Sequence, residues 1–174
     1  MDFYARYAVA QRQFPVIGLL SPGKLLGIAQ FAGLSNGSHV IEFGCGYGED
    51  LLHLCEQFGV SGVGIDGSED HIGRAREDAT ASPHGDRMEY VCGDAVSYDF
   101  NPGSFDLAAC INATNMFGEG EFVVSDAIRH MRQAIHEEGC LLIGQPYFTI
   151  PDVPHELIDY EGVADRSPDP GFHP

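Results

Sequence analysis

The sequence predicts an α/β fold, a three-layer α/β/α sandwich built on a mostly parallel sheet. Two observations carry that expectation. From residue 38 to residue 143, short apolar runs alternate with stretches of helical periodicity, the order that parallel strands and their crossover helices produce. The runs are nearly continuous in apolar residues, as strands covered on both faces must be. At 174 residues the chain has the length of one domain, enough to bury roughly 70% of its unfolded surface.

Each element has a local reason. Phe3, Tyr7, Ala10 and Phe14 recur at helical spacing ahead of Pro15 and predict a first amphipathic helix. Ser21-Pro22 then supplies an N-cap and an N1 proline, and Leu25, Ile28, Ala29 and Ala32 form a stripe that stops at Gly33. His39–Phe43 reads as the first strand, ended by the glycines at 44, 46 and 48. Leu51, Leu54, Cys55 and Phe58 keep helical spacing up to Gly59. Residues 60–65 read as the second strand, closed by Asp66, and Ser68 caps a helix running to about Ala79. Strands follow at 88–91 and Phe105–Ile111. Val124, Ala127, Ile128, Met131 and Ile135 predict one long helix ended by Gly139, before a fifth strand at 140–143. Residues 1–37 thus form a helical lid segment, 38–150 the α/β domain, and 151–174 a tail holding five of the ten prolines.

Charge narrows the partners. Twenty-six acidic residues against nine basic ones give a formal net charge of −17. Such a field repels phosphate backbones and anionic lipid, so neither nucleic acid nor a membrane surface is an expected partner, and it attracts a cationic small molecule. The same excess fits adaptation to a salt-rich cytoplasm. Five cysteines without a C-x-x-C pair, all in or beside apolar runs, predict buried free thiols in a reducing compartment. With no basic leader and no apolar run of membrane-spanning length, a cytoplasmic location is expected. The eight histidines show no H-x-x-x-H spacing, and no metal is expected.

The glycine cluster is the chemical signal. In an open α/β sheet, ligands bind beyond the carboxyl ends of the strands, where the strand order reverses. The loop after the first strand lies there, and so does Asp66. Asp66 stands 20 residues after Gly46, the offset at which an acid accepts both hydroxyls of a bound ribose. A nucleoside-containing ligand follows. The third glycine of a dinucleotide fingerprint would fall at position 49, which is Glu49, and Glu49 and Asp50 at the helix mouth oppose a pyrophosphate.

The pattern Glu42-Phe-Gly-Cys-Gly-Tyr-Gly48 instead resembles the first motif of the class I S-adenosylmethionine-dependent methyltransferases, whose ligand carries an ammonium and a sulfonium but no phosphate. Further stations resemble that family in order: Val-Gly-Ile-Asp66-Gly-Ser68, Cys92-Gly-Asp94-Ala95, Phe105 to Asn112, and Glu138 to Gly144. The resemblance implies a Rossmann-like sheet of strand order 3-2-1-4-5 and S-adenosyl-L-methionine as cofactor. It implies a cofactor site made of Glu42, Gly44, Cys45, Gly46, Asp66, Gly67, His71, Asp94, Ala95 and Asn112, with Asp66 on the ribose and Asp94 on the adenine amino group. At His71 the family often carries a methionine. Gly144-Gln-Pro-Tyr147 and the aromatic N-terminal segment are similar to small-molecule members, which implies a small-molecule methyl acceptor and makes Tyr7, Asn112 and Tyr147 the catalytic candidates. The motif of enzymes that methylate exocyclic amino groups of bases is absent at Asn112-Ala-Thr-Asn115.

One departure is large. The family sheet ends in an antiparallel hairpin that supplies a sixth and seventh strand, and the roughly 27 residues after Tyr147 are too few for it. The expectation is a sheet without that hairpin, whose fifth-strand edge is covered by the tail or by a second copy in a homodimer. Two alternatives stay open: a protein that binds S-adenosylmethionine without turnover, and an NAD(P)-dependent oxidoreductase.

Overall fold

The computed structural model describes residues 20–118 and 122–145. The expected helix over residues 3–14, the tail from 151 and the candidates Tyr7 and Tyr147 lie outside them. Chain order is α1 (Pro22–Phe31), β1 (His39–Phe43), α2 (Glu49–Phe58), β2 (Ser61–Asp66), α3 (Glu69–Ala81), β3 (Met88–Cys92), β4 (Phe105–Ile111), α4 (Val123–Met131) and β5 (Ile135–Gly144), with single 3-10 turns at Gly85–Arg87 and Thr114–Phe117. The five strands form one sheet of order β3-β2-β1-β4-β5, and every pairing is parallel. The order reverses between β1 and β4, so a crevice opens beyond their carboxyl ends.

The helix boundaries follow from their caps. Gly48 and Gly59 close the two ends of α2 in left-handed conformations, φ 71° and 70°, which a side chain would strain. At α3 the Ser68 hydroxyl accepts a bond from the His71 amide (3.3 Å), while Glu69 and Asp70 sit at the positive end of the helix. Ser21 holds the N-cap position of α1 without a side-chain bond; its carbonyl accepts from Lys24 and Leu25 instead.

Neighbouring residues along each strand feed opposite faces of the sheet. Val40, Val60 and Leu107 pack with Leu25 of α1, Leu51 and Leu54 of α2 and Ile72 of α3. Ile41, Phe43, Ile65 and Ala108 pack with Ala127 and Met131 of α4 on the other face. Phe43, Leu51, Ile65 and Met131 are fully buried, each such side chain contributing about 1.5–3 kcal/mol by leaving water. This double cover is why the strands are apolar throughout.

Two expectations are corrected. The helix expected over 124–135 ends at Met131, and Ile135 already pairs with Phe105 in the sheet. The register then advances from Phe105 to Leu107 on β4 while it advances from Ile135 to Cys140 on β5, so the extra residues bulge out. Gly139 belongs to that bulge and not to a helix end: a Cβ there would lie 2.8 Å from Ile135 Cβ and 3.0 Å from the Phe105 carbonyl. The Asp106 carboxylate secures the same corner, accepting from the His39 amide at 2.7 Å and standing 3.2 Å from His136 Nε2. The second correction concerns thiols. Cys45, Cys55 and Cys110 are buried and Cys140 is intermediate, but Cys92 is exposed. It ends β3, which among the described residues is the outermost strand on its side.

Gly139→Ala is expected to destabilise the fold by about 1–3 kcal/mol through overpacking against the β4 backbone. Urea unfolding of the variant measures this, and an unchanged midpoint would remove the close-approach role of Gly139.

Candidate functional site

A cavity of about 640 Å³ opens beyond the carboxyl ends of β1, β2 and β4. It is framed by the loop after β1. Gly44, Gly46 and Gly48 all have positive φ, at 76°, 56° and 71°. A Cβ on Gly44 would stand 2.4 Å from Ala113 Cβ, and one on Gly48 would stand 2.3 Å from the Tyr90 ring. Gly44 and Gly48 are therefore required twice, by conformation and by space, and Gly46 by conformation. Gly44 and Cys45 donate their amides to the Ile65 carbonyl (2.7 and 3.0 Å), and the Tyr90 hydroxyl donates to the Gly48 carbonyl (2.9 Å), so the loop is pinned to β2 and β3.

Asp66 ties this loop to the next. Its Oδ2 accepts from the Gly46 amide at 3.0 Å, and its Oδ1 accepts from the Ser68 amide at 2.8 Å. His71 Nδ1 lies 3.2 Å from Oδ1, and the His71 ring meets Tyr47 edge-on at 5.1 Å between centroids. Arg74 in turn covers the Tyr47 ring at 4.2 Å. An ionised carboxylate has about four acceptor positions, so Asp66 retains capacity toward the cavity after these bonds.

Acids dominate the wall. Glu42, Glu49, Asp50, Asp66 and Asp94 all line the cavity, and no lysine or arginine does among the described residues. Glu42 is only 3% exposed, and its Oε2 has no hydrogen-bond partner. Burial, with Asp50, Glu49 and Asp66 as like charges nearby, pushes the Glu42 carboxyl well above the ordinary carboxylate range. Burial and then Glu49 raise Asp50 to about 6. Burial, reinforced by Glu42, likewise raises the Cys45 thiol, which leaves it an unreactive wall.

On the β3 side, Asp94 accepts from the Ser97 hydroxyl (2.6 Å) and the Val96 amide (3.0 Å), which hold its carboxyl below the ordinary range. Beyond β4, Asn112 takes a left-handed conformation, φ 57°, with its amide donating to the Gly144 carbonyl at 2.7 Å. The buried Thr114 hydroxyl accepts from Gln145 Nε2, tying the same turn to the end of β5.

All ten residues that the resemblance assigned to a cofactor line this one cavity. So do Gly93, Ile111, Ala113, Asn115 and Met116, which the sequence reading did not single out. Asn115 and Met116 sit on the 3-10 turn after β4. A four-residue turn carries no periodicity, so only adjacency to Asn112 pointed to them.

Two outcomes follow from this geometry. Asp66→Ala removes acceptors from two backbone amides and is expected to cost about 1–3 kcal/mol of stability without any ligand, read by denaturant unfolding. The folded Asp50 carboxyl titrates near 6, above its unfolded value of about 3.9. The stability this group contributes is therefore present below about pH 4 and lost as pH rises through about 6. Asp50→Asn is expected to gain stability relative to the parent over that window, and paired melts at about pH 4 and pH 7 check the sign.

Comparison with known proteins agrees with this geometry. The profile of the methyltransferase domain family matches residues 40–139, more than half of the chain. The Escherichia coli protein YjhP is 25% identical over 167 residues, covering 96% of this chain and 65% of its own length. A sterol 24-C-methyltransferase of Saccharomyces cerevisiae is 30% identical over 87 residues, 50% of this chain and 23% of that enzyme. The fold superposes with a TM-score of 0.78 on a SAM-dependent methyltransferase from Thiobacillus denitrificans in complex with S-adenosyl-L-homocysteine, at 24% identity over 90% of this chain and 61% of that one. The chain thus spans less than two thirds of the length of these relatives. The matched stretch runs from the second residue of β1 into the bulge of β5 and contains the whole glycine loop, and the chain belongs to the class I methyltransferase family.

Proposed function

We propose that this chain binds S-adenosyl-L-methionine in the cavity beyond β1, β2 and β4 and transfers its methyl group to a small-molecule acceptor. The observation that carries the reading is the wall itself: a glycine loop tied to Asp66, lined with carboxylates and without a basic side chain among the described residues. A dinucleotide would bring a pyrophosphate against Glu49 and Asp50 at the start of α2. A ligand with an ammonium and a sulfonium meets charges of the opposite sign.

The residues present fit the group. Asp66 has acceptor capacity left for ribose hydroxyls, and Asp94 and Ala95, which line the same cavity, would hold the purine. The unpartnered Glu42 Oε2 supplies a buried acceptor for the ammonium. When bound, S-adenosylmethionine supplies an electrophilic methyl on a positively charged sulfur. The chain then has to orient an acceptor and exclude water, and a protein base is needed only when the nucleophile must lose a proton. Asn112, Asn115, Ile111 and Met116 form the uncharged side of the cavity and are the acceptor-facing residues in this reading. Their small, neutral surface supports a small organic acceptor, as does similarity to an enzyme named for a sterol. The net charge of −17 disfavours a nucleic acid.

Calorimetric titration with S-adenosylmethionine is expected to give one-to-one binding, weakened by about 1.5–3 kcal/mol in Asp66→Ala, the range for hydrogen bonds to a charged group. A folded sample that binds nothing would sink the cofactor reading. Release of S-adenosylhomocysteine with a panel of small acceptors tests turnover, and binding without release from any of them would favour a protein that holds the cofactor without using it.

A further inference from the structure

The bonds around Asp66 converge on one further side chain. His71 lies on the first turn of α3, is 3% exposed, and lines the cavity. Its amide donates to the Ser68 hydroxyl at 3.3 Å, and the Ser68 amide donates to Asp66 Oδ1 at 2.8 Å. The His71 ring nitrogen Nδ1 stands 3.2 Å from that same Oδ1. A carboxylate oxygen accepts, so Nδ1 is the donor in this bond. His71, Ser68 and Asp66 are thereby joined in a closed circuit.

The imidazole is itself fixed by the glycine loop. The buried Tyr47 ring meets it edge-on at 5.1 Å, and Arg74 covers the same Tyr47 ring at 4.2 Å. His71 and Arg74 stand three residues apart and so share one face of α3. One helix face thus grips both Tyr47, on the loop after β1, and Asp66, at the end of β2. The Gly46 amide on Asp66 Oδ2 comes from that same loop.

Resting on the cofactor reading above, we propose that His71 is a positioning residue for ribose recognition, whose ring donor fixes the Asp66 carboxylate in the orientation that receives the ribose hydroxyls. Each backbone amide holds one oxygen of that carboxylate. The second donor on Oδ1 comes from a buried ring and narrows the rotation left to the group. An acceptor that is already oriented loses less freedom when a hydroxyl binds to it. A methionine at this position would fill a similar volume and offer no donor. His71 therefore acts on the ribose through Asp66, beyond any contact of its own with the ligand.

The test is calorimetric titration of the full chain with S-adenosylhomocysteine, in the parent, His71→Met, His71→Asn, Asp66→Ala and the double variant of His71→Met with Asp66→Ala. Asparagine is smaller than histidine but sets an amide N–H near the place of Nδ1, so packing and donation predict opposite orders for the two His71 variants. His71→Met is expected to weaken binding about threefold to tenfold, and His71→Asn by less than about twofold. In the Asp66→Ala background the methionine is expected to cost less than about twofold, because the group it acts through is gone. Thermal melts check that each variant folds, and the order of methionine and asparagine stands without the Asp66 variants. Asparagine binding no more tightly than methionine, or a methionine loss of equal size in both backgrounds, would overturn the positioning role alone. No binding by the folded parent would overturn the cofactor reading beneath it.

Discussion

The site depends on one carboxylate bridging two loops. Asp66 ends β2 and reaches sideways to the Gly46 amide while holding the Ser68 amide at the start of α3. Two adjacent strand ends thereby become one rigid rim. Ordering the three positive-φ glycines costs conformational entropy, and that bridge helps to offset it. The main-chain bonds from Gly44 and Cys45 to Ile65 act in the same direction. Loop geometry, acid placement and cavity shape thus rest on the same few bonds.

That arrangement explains why a strongly negative wall is tolerable. Carboxyls gathered at close range repel, and the fold answers in three different ways. Asp66 and Asp94 accept from amide and hydroxyl donors, and those on Asp94 hold its carboxyl below the ordinary range. Asp50 sits on the first turn of α2, where the helix dipole favours negative charge, and still titrates near 6. Glu42 receives no donor on Oε2, and its carboxyl is driven toward the protonated form. A site containing a held anion beside protonatable acids can change its own charge without moving its backbone.

Much of the fold was legible in the sequence because its signals are local. Gly59 after Phe58, Ser68 ahead of α3 and the doubly apolar strands each announce a boundary or a layer, and the sheet order came with the family resemblance. The misreadings arise where tertiary contacts decide. Val124 to Ile135 keep helical spacing, but Ile135 is recruited by Phe105 into the sheet, and the sequence carries no trace of that pairing. Gly139 looked like a helix stop because a bulge glycine and a C-cap glycine are the same residue with different neighbours. Cys92 looked buried from its apolar run, yet only the sheet order reveals that β3 is outermost. For the site, the spacing from Gly46 to Asp66 was readable and did bring the two together, though as a direct hydrogen bond as well as a shared wall. The positive φ of Asn112 was not readable, since asparagine adopts it only where its surroundings require it.

The bulge in β5 bears on how the sheet meets other chains. Among the described residues β5 is the last strand, and a long, flat outer strand offers its unpaired amides and carbonyls as a template for another strand. Here the regular ladder with β4 runs only from Cys140 to Gly144, and the residues before it swing out of register with Glu137 and Glu138 exposed. An incoming strand could find an unbroken ladder along only half of β5, and would have to bring its own backbone past two acids to reach the rest. The irregularity that misled the sequence reading thus also breaks the template that β5 offers to another strand.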